Sequence, residues 1–113
     1  MDPRLEEYTR LIKKVLRDYA DYVNAALDSS RCQVVFDDQR GQYLLVEMGW
    51  IQDQYIHTTP IHISLIEQKV WIQTDDTEHG VAPELVEAGI PTKDIVLGFR
   101  HPSLRPHTGF AVA

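Results

Sequence analysis

The chain of 113 residues holds a single cysteine, Cys32. That scarcity excludes an intrachain disulfide and any zinc site built on several thiolates. Long apolar runs are also missing. No stretch approaches the roughly 18 residues that a spanning helix needs, so no membrane segment is expected. The opening Met1-Asp2-Pro3-Arg4-Leu5-Glu6-Glu7 has no apolar centre, and no signal peptide is expected from it. Cations are few: 11 Lys and Arg stand against 17 Asp and Glu, for a net charge of −6. Phosphate-driven binding depends on many cations, so autonomous DNA binding is not expected. One thiol suits a reducing compartment, and the cytoplasm is the expected location.

What is present fits one folded domain spanning 1–113. Hydrophobic residues make up 43% and charged residues 25%, a globular rather than a disordered composition. A chain of this length buries enough surface for one core, whereas two independent domains would each be marginal. The charge is unevenly spread. Residues 75–98 hold six acidic residues and one basic, whereas residues 99–113 hold two arginines and no acid. An acidic block beside a basic tail suits charge-complementary contact with another subunit or partner, and also suits an uneven solvated surface.

Residues 3–27 read as one long amphipathic helix. Leu5, Tyr8, Leu11, Ile12, Val15, Leu16, Tyr19, Val23, Ala26 and Leu27 recur at spacings of three and four. Asp2 stands at the N-cap position and Pro3 at the first helical position. After Asp28-Ser29-Ser30 the period changes. Residues 32–37 and 42–50 read as strands around the turn Asp38-Gln39-Arg40-Gly41. On the second strand, Leu44, Val46, Met48 and Trp50 share the cleanly apolar face, which is expected to lie under the helix. Tyr55 to Leu65 reads as a strand in which Pro60 marks an edge, a bulge or a break. Glu67-Gln68 is a hairpin turn, though neither residue favours positive φ, and residues 70–74 return.

The last third is less regular. Residues 75–80 form a polar loop. Residues 83–88 read as a short helix with Gly89 at its end, and residues 90–94 as a further helical turn. Ile95 to Phe99 suits either a helix end or a short strand. Residues 100–113 are expected to wrap the surface, tied down by Phe110, Ala111 and Val112. The expected fold is thus α+β: a long N-terminal helix packed on an antiparallel β-sheet of about four strands, followed by short helices and an extended C-terminal tail.

Motifs that carry chemistry are sparse. His62 lies mid-strand, and Asp75, Asp76, Glu78 and His79 cluster in the following loop. The loop lacks the ligand spacing of an EF-hand and the helical H-E-x-x-H of a zinc protease, so no metal is expected. Ser64 has no G-x-S-x-G elbow, and the glycines form no phosphate-binding loop. Cys32 beside Val34 and Phe36 reads as a small buried hydrophobe rather than a reactive thiol. Trp50 and Trp71 suit a core or an interface better than base stacking. No catalytic residue, metal or cofactor is expected from these patterns.

An ordered series of motifs runs through the whole chain. It includes Val46-Glu47-Met48-Gly49-Trp50, Ile61-His62-Ile63-Ser64-Leu65, Lys69-Val70-Trp71-Ile72-Gln73 and Asp76-Thr77-Glu78. It continues through Glu84-Leu85-Val86-Glu87-Ala88-Gly89-Ile90-Pro91, Lys93 to Phe99, His101-Pro102, Arg105 and Phe110 to Ala113. This series resembles the XisI family. The resemblance implies a factor controlling excision of a DNA element that interrupts a nitrogen-fixation gene in cyanobacteria. It further implies action with a companion, XisH, alongside a site-specific recombinase, and it transfers no catalytic residue. One departure is Glu67-Gln68, where family members often carry a Gly-containing turn.

Three functional readings follow. The first is a non-enzymatic accessory factor that binds a XisH-like protein and a recombinase. The second is an acidic, antitoxin-like DNA mimic that inhibits a nuclease-fold partner. The third is a small ligand-binding domain or enzyme using His62 and the 75–79 loop. The candidate surface comprises His62, Asp75, Asp76, Glu78, Glu84, Glu87, Arg100 and Arg105. The long helix, Pro60 and the opposed charges of block and tail also lead to an expected homo-oligomer.

Overall fold

The computed structural model describes residues 2–26 and 30–113, and of Ser30 the backbone alone. Helix α1 spans Pro3–Ala26. Leu27, Asp28 and Ser29, part of the expected helix end and turn, lie outside the described residues. Asp2 caps α1: its Oδ1 accepts the Arg4 backbone N–H at 2.8 Å, satisfying one of the orphan donors of the first turn. Tyr8, Leu11, Ile12, Val15, Leu16 and Ala20 form the buried stripe of the helix.

That stripe lies on a five-stranded sheet of β1 (Ser30–Asp37), β2 (Gln42–Ile51), β3 (Gln54–Ile66), β4 (Lys69–Asp75) and β5 (Ile95–Leu97). Spatial order follows chain order. The first four strands form the antiparallel meander, and β5 adds parallel to β4. The sheet therefore gains a fifth, parallel strand over the four expected. Short helix α2 (Ala82–Ala88) and a 3₁₀ turn at Thr92–Asp94 supply the crossover that a parallel neighbour requires. Gly89 ends α2 with φ of 125°, and the N–H groups of Gly89 and Ile90 bond to the Val86 and Leu85 carbonyls.

The covered face of β2 differs from the expected one. Tyr43 and Leu45 are buried under α1, whereas Leu44, Val46 and Met48 are only partly covered and Trp50 is 61% exposed. Register explains the difference. Tyr43 and Leu45 pair with Ile63 and Ile61, and on the other side with Phe36 and Val34. These rows, with Val70 and Ile72, form the continuous apolar surface that meets the helix. On β3, Ile61 pairs with Leu45 and Thr58 with Glu47, so Thr59 and Pro60 sit opposite Val46 as a bulge. Proline is tolerated there because no ladder N–H is needed. The β3–β4 turn places Glu67 and Gln68 at φ of 49° and 68°. Both central residues thus adopt the left-handed conformation that neither prefers.

The segment after β5 folds back. The Ala111 N–H donates to the Ile95 carbonyl at 2.8 Å, and Phe110 packs against the core. Val112 is 53% exposed and holds the tail only through its carbonyl, which accepts from Arg105. No helix is long and apolar enough to cross a membrane among the described residues.

Candidate functional surface

The acidic block divides into carboxylates that hold the fold and carboxylates that face solvent. Asp75 closes β4 and turns inward. Its Oδ1 accepts the Thr77 N–H at 3.0 Å and the Thr77 hydroxyl at 2.5 Å, and its Oδ2 accepts the Val81 N–H at 2.6 Å. It thereby pins the 76–80 loop to the start of α2, where Val81 has no capping side chain. Asp94 is 6% exposed and accepts the Tyr8 hydroxyl. Arg4 stands 3.8 Å from its carboxylate. Burial, and then the bond to Asp94, push the Tyr8 hydroxyl up to about 12. This contact ties α1 to the turn before β5.

Asp76, Glu78, Glu84 and Glu87 are exposed, and none of the four forms an ion pair among the described residues. Leu85 is buried on α2, which leaves Glu84 and Glu87 at the rim of an open groove of about 730 Å³ between α1 and α2. Leu11, Val15 and Tyr19 line this groove, with Arg10 and Lys14 on the α1 side. Those two cations are paired along their own helix, Arg10 with Glu7 and Lys14 with Asp18. The groove therefore presents an apolar floor between charged walls, with α2 supplying acid only.

His62 is not part of this surface. It follows Ile61 on β3, and successive side chains alternate between faces. Asp75 pairs with Ile61 on the helix side, so His62 projects from the opposite face. There its Nε2 lies 2.7 Å from Gln42 Oε1, which also accepts the Ser64 hydroxyl at 2.7 Å. Burial lowers the affinity of the His62 ring for a proton. The structure thus separates His62 from the 75–79 loop by the thickness of the sheet. No group of three or more His, Cys, Asp or Glu side chains is placed to hold a metal ion among the described residues.

The two tail arginines also differ. Arg105 turns inward and stacks over Trp71 at 5.1 Å. It donates to the Arg100 carbonyl at 3.1 Å and to the Val112 and Gly98 carbonyls at 3.4 Å, clamping the tail onto the sheet. Arg100 is exposed, with its guanidinium over Phe99 at 5.1 Å. Cys32 is buried, and burial raises its thiol pKa, as a small core hydrophobe requires. Sequence reasoning missed the Tyr8–Asp94 contact, which joins residues 86 positions apart. It also missed Asn24, which bonds both the N–H and the carbonyl of Cys32, at 2.7 and 3.0 Å. A polar residue on the helix flank was the one available signal for that second contact.

Comparison with known proteins accounts for the arrangement as a whole. The family model described as XisI protein matches residues 1–112. No curated protein matches the chain. A XisI-like protein from Anabaena variabilis is similar in structure, with a TM-score of 0.87 and 34% identity. That likeness covers 96% of this chain and 99% of the other. The fdxN element excision controlling factor XisI from the same organism is also similar, with a TM-score of 0.82 and 34% identity over 97% of this chain and 99% of that one. Matched in sequence and in fold along nearly its whole length, the chain belongs to the XisI family.

Proposed function

We propose that this chain is a non-enzymatic, cytoplasmic accessory factor that controls site-specific excision of a DNA element by binding the proteins that hold the DNA. Its partners in this reading are a XisH-like protein and a site-specific recombinase. The observation that carries it is the near-complete likeness, in sequence and fold, to the fdxN element excision controlling factor of Anabaena variabilis. The charge of the chain supports it: a net charge of −6 disfavours holding DNA alone and favours basic protein surfaces. The four free carboxylates Asp76, Glu78, Glu84 and Glu87 supply such a contact.

Co-purification with a XisH-like protein tests the reading. A stable complex at low salt is expected. Joint replacement Asp76→Asn, Glu78→Gln, Glu84→Gln and Glu87→Gln is expected to weaken it by about 10-fold or more and to flatten its salt dependence. Asp75 is left intact because it holds the loop. Failure to associate, together with unchanged excision of a reporter element when the protein is omitted, would sink the reading.

The same carboxylates favour a second reading, an antitoxin-like DNA mimic on a nuclease-fold partner. It differs in one outcome: DNA would then compete with this chain for the partner. A ternary complex with DNA bound alongside the chain decides for the accessory factor.

A further inference from the structure

Among the described residues the sheet leaves open edge on β1, β5 and β3, and the first two are each met at one point. On β1, Asn24 occupies both backbone groups of Cys32. On β5, Ala111 takes the Ile95 carbonyl and bridges Val96. The third lies within β3. Strand β4 pairs with β3 only from Ile61 onward, and its last contact is the Asp76 N–H to the Pro60 carbonyl. Residues 54–58 pair with β2 on one side, and residues 54–59 have no partner strand on the other among the described residues. Among the described residues, β1 pairs with β2 from Gln42 as far as Gly49. The result is an arm with one open strand edge.

The arm lacks the usual protection of an exposed edge. Such edges carry lysines, inward charges or prolines that block pairing. Between Glu47 and Glu67 the only charged residue is Asp53, at the hairpin tip, and Pro60 stands where the open stretch ends. At its end, Trp50 and Tyr55 pack against each other with ring centroids 5.2 Å apart. They are nevertheless 61% and 52% exposed. Paired, half-exposed aromatics on an uncharged strand are the composition of an interface centre.

We propose that residues 54–59 of β3 pair antiparallel with the same residues of a second copy about a two-fold axis. A strand edge is self-complementary in this arrangement, because a two-fold axis presents an identical strand in the antiparallel sense. The lack of charge on the arm fits the same occupant. Two copies of net charge −6 repel over most of their surfaces, and the nearly neutral arm is where they meet at least cost. Antiparallel pairing also sets each arm into the notch left where the other copy's β4 ends at Asp75. Trp50 and Tyr55 then lie against the partner's sheet. This assembly is independent of the excision reading and stands or falls separately.

Sedimentation and light scattering over a wide concentration range test it, combined with amide hydrogen exchange. The full chain is expected to show twice its mass of 13.0 kDa. Exchange at residues 54–59 is expected to slow as concentration rises, with the β1 edge unchanged. The double variant Tyr55→Lys/His57→Lys places four lysines along the paired edges of a dimer. It is expected to raise the dimer dissociation constant by about 100-fold or more while leaving the circular dichroism spectrum intact. Val35→Lys, on exposed β1, is expected to leave association unchanged. A monomer at every concentration overturns the proposal. So does a dimer that is indifferent to the two lysines, or one whose exchange at 54–59 is independent of concentration. Protection of these amides only by a XisH-like protein would overturn it too, assigning the edge to a different chain.

Discussion

On β2, Tyr43 and Leu45 lie under α1, while Leu44, Val46 and Met48, one position away and no less apolar, face the other side of the sheet. The comparison teaches that apolar character alone does not choose a buried face. The chosen face is the one whose rows continue across neighbouring strands: Cys32, Val34 and Phe36 on β1, Ile61 and Ile63 on β3, Val70 and Ile72 on β4. On the opposite face, Gln33, His62 and Gln42 interrupt the apolar row. Arg105 and the C-terminal tail cover only the β4–β5 end of it. Closure of the core on one side leaves the other side and the β2–β3 arm more open to solvent.

The sharpest way to break this comparison is a matched pair of truncations. Leu45→Ala is expected to cost about 2–5 kcal/mol in urea unfolding, because a fully buried leucine leaves a cavity. Leu44→Ala, one residue away, is expected to cost about 1 kcal/mol. Equal losses would mean that both faces are core.

The next largest effect concerns the link that fastens α1 to the far end of the sheet. Tyr8→Phe removes the donor to a buried carboxylate and is expected to cost about 1–3 kcal/mol near neutral pH. The Tyr8 hydroxyl is held up to about 12, above the ordinary value near 10. Its contribution is therefore full below about pH 10 and is lost as pH rises towards about 12. The gap between wild type and Tyr8→Phe should narrow over that range in pH-dependent unfolding. A gap that does not depend on pH would show that the hydroxyl stabilises by packing alone.

On the partly covered face, Arg105→Ala removes the stacking on Trp71 and three bonds to tail carbonyls. A loss of about 1–2 kcal/mol is expected, with faster hydrogen exchange at the Ala111 amide. The smallest effect is a gain. Gln68→Gly relieves the left-handed conformation at φ of 68° and is expected to add about 1 kcal/mol, read as a raised Tm.

Much of the fold was legible because its signals are local. Asp2 and Pro3 announce the start of α1, its spacing of three and four defines the stripe, and Gly89 ends α2. The hairpin at Glu67-Gln68 was legible despite its chemistry, because strands on both sides force a two-residue connection. The covered face of β2 was not legible, since reading one strand alone scores Leu44, Val46, Met48 and Trp50 as the better face. The candidate site was partly legible. The acidic block stood out by count, yet nothing local separates Asp75 and Asp94, which bond internally, from Asp76, Glu78, Glu84 and Glu87, which do not.

The sequence by itself determined the class of the protein and its family, because element types follow hydrophobic period and turn residues, and the series of motifs runs along the whole chain. Tertiary structure alone decided which carboxylates and arginines remain free, because a charge is withdrawn from solvent by partners that are distant in sequence. Tyr8 withdraws Asp94, Val81 and Thr77 withdraw Asp75, and Trp71 withdraws Arg105. It also decided that β3 outruns β4. Strand lengths follow from local pattern, but an interior strand such as β3 has an unpaired edge only where its neighbour stops short of it.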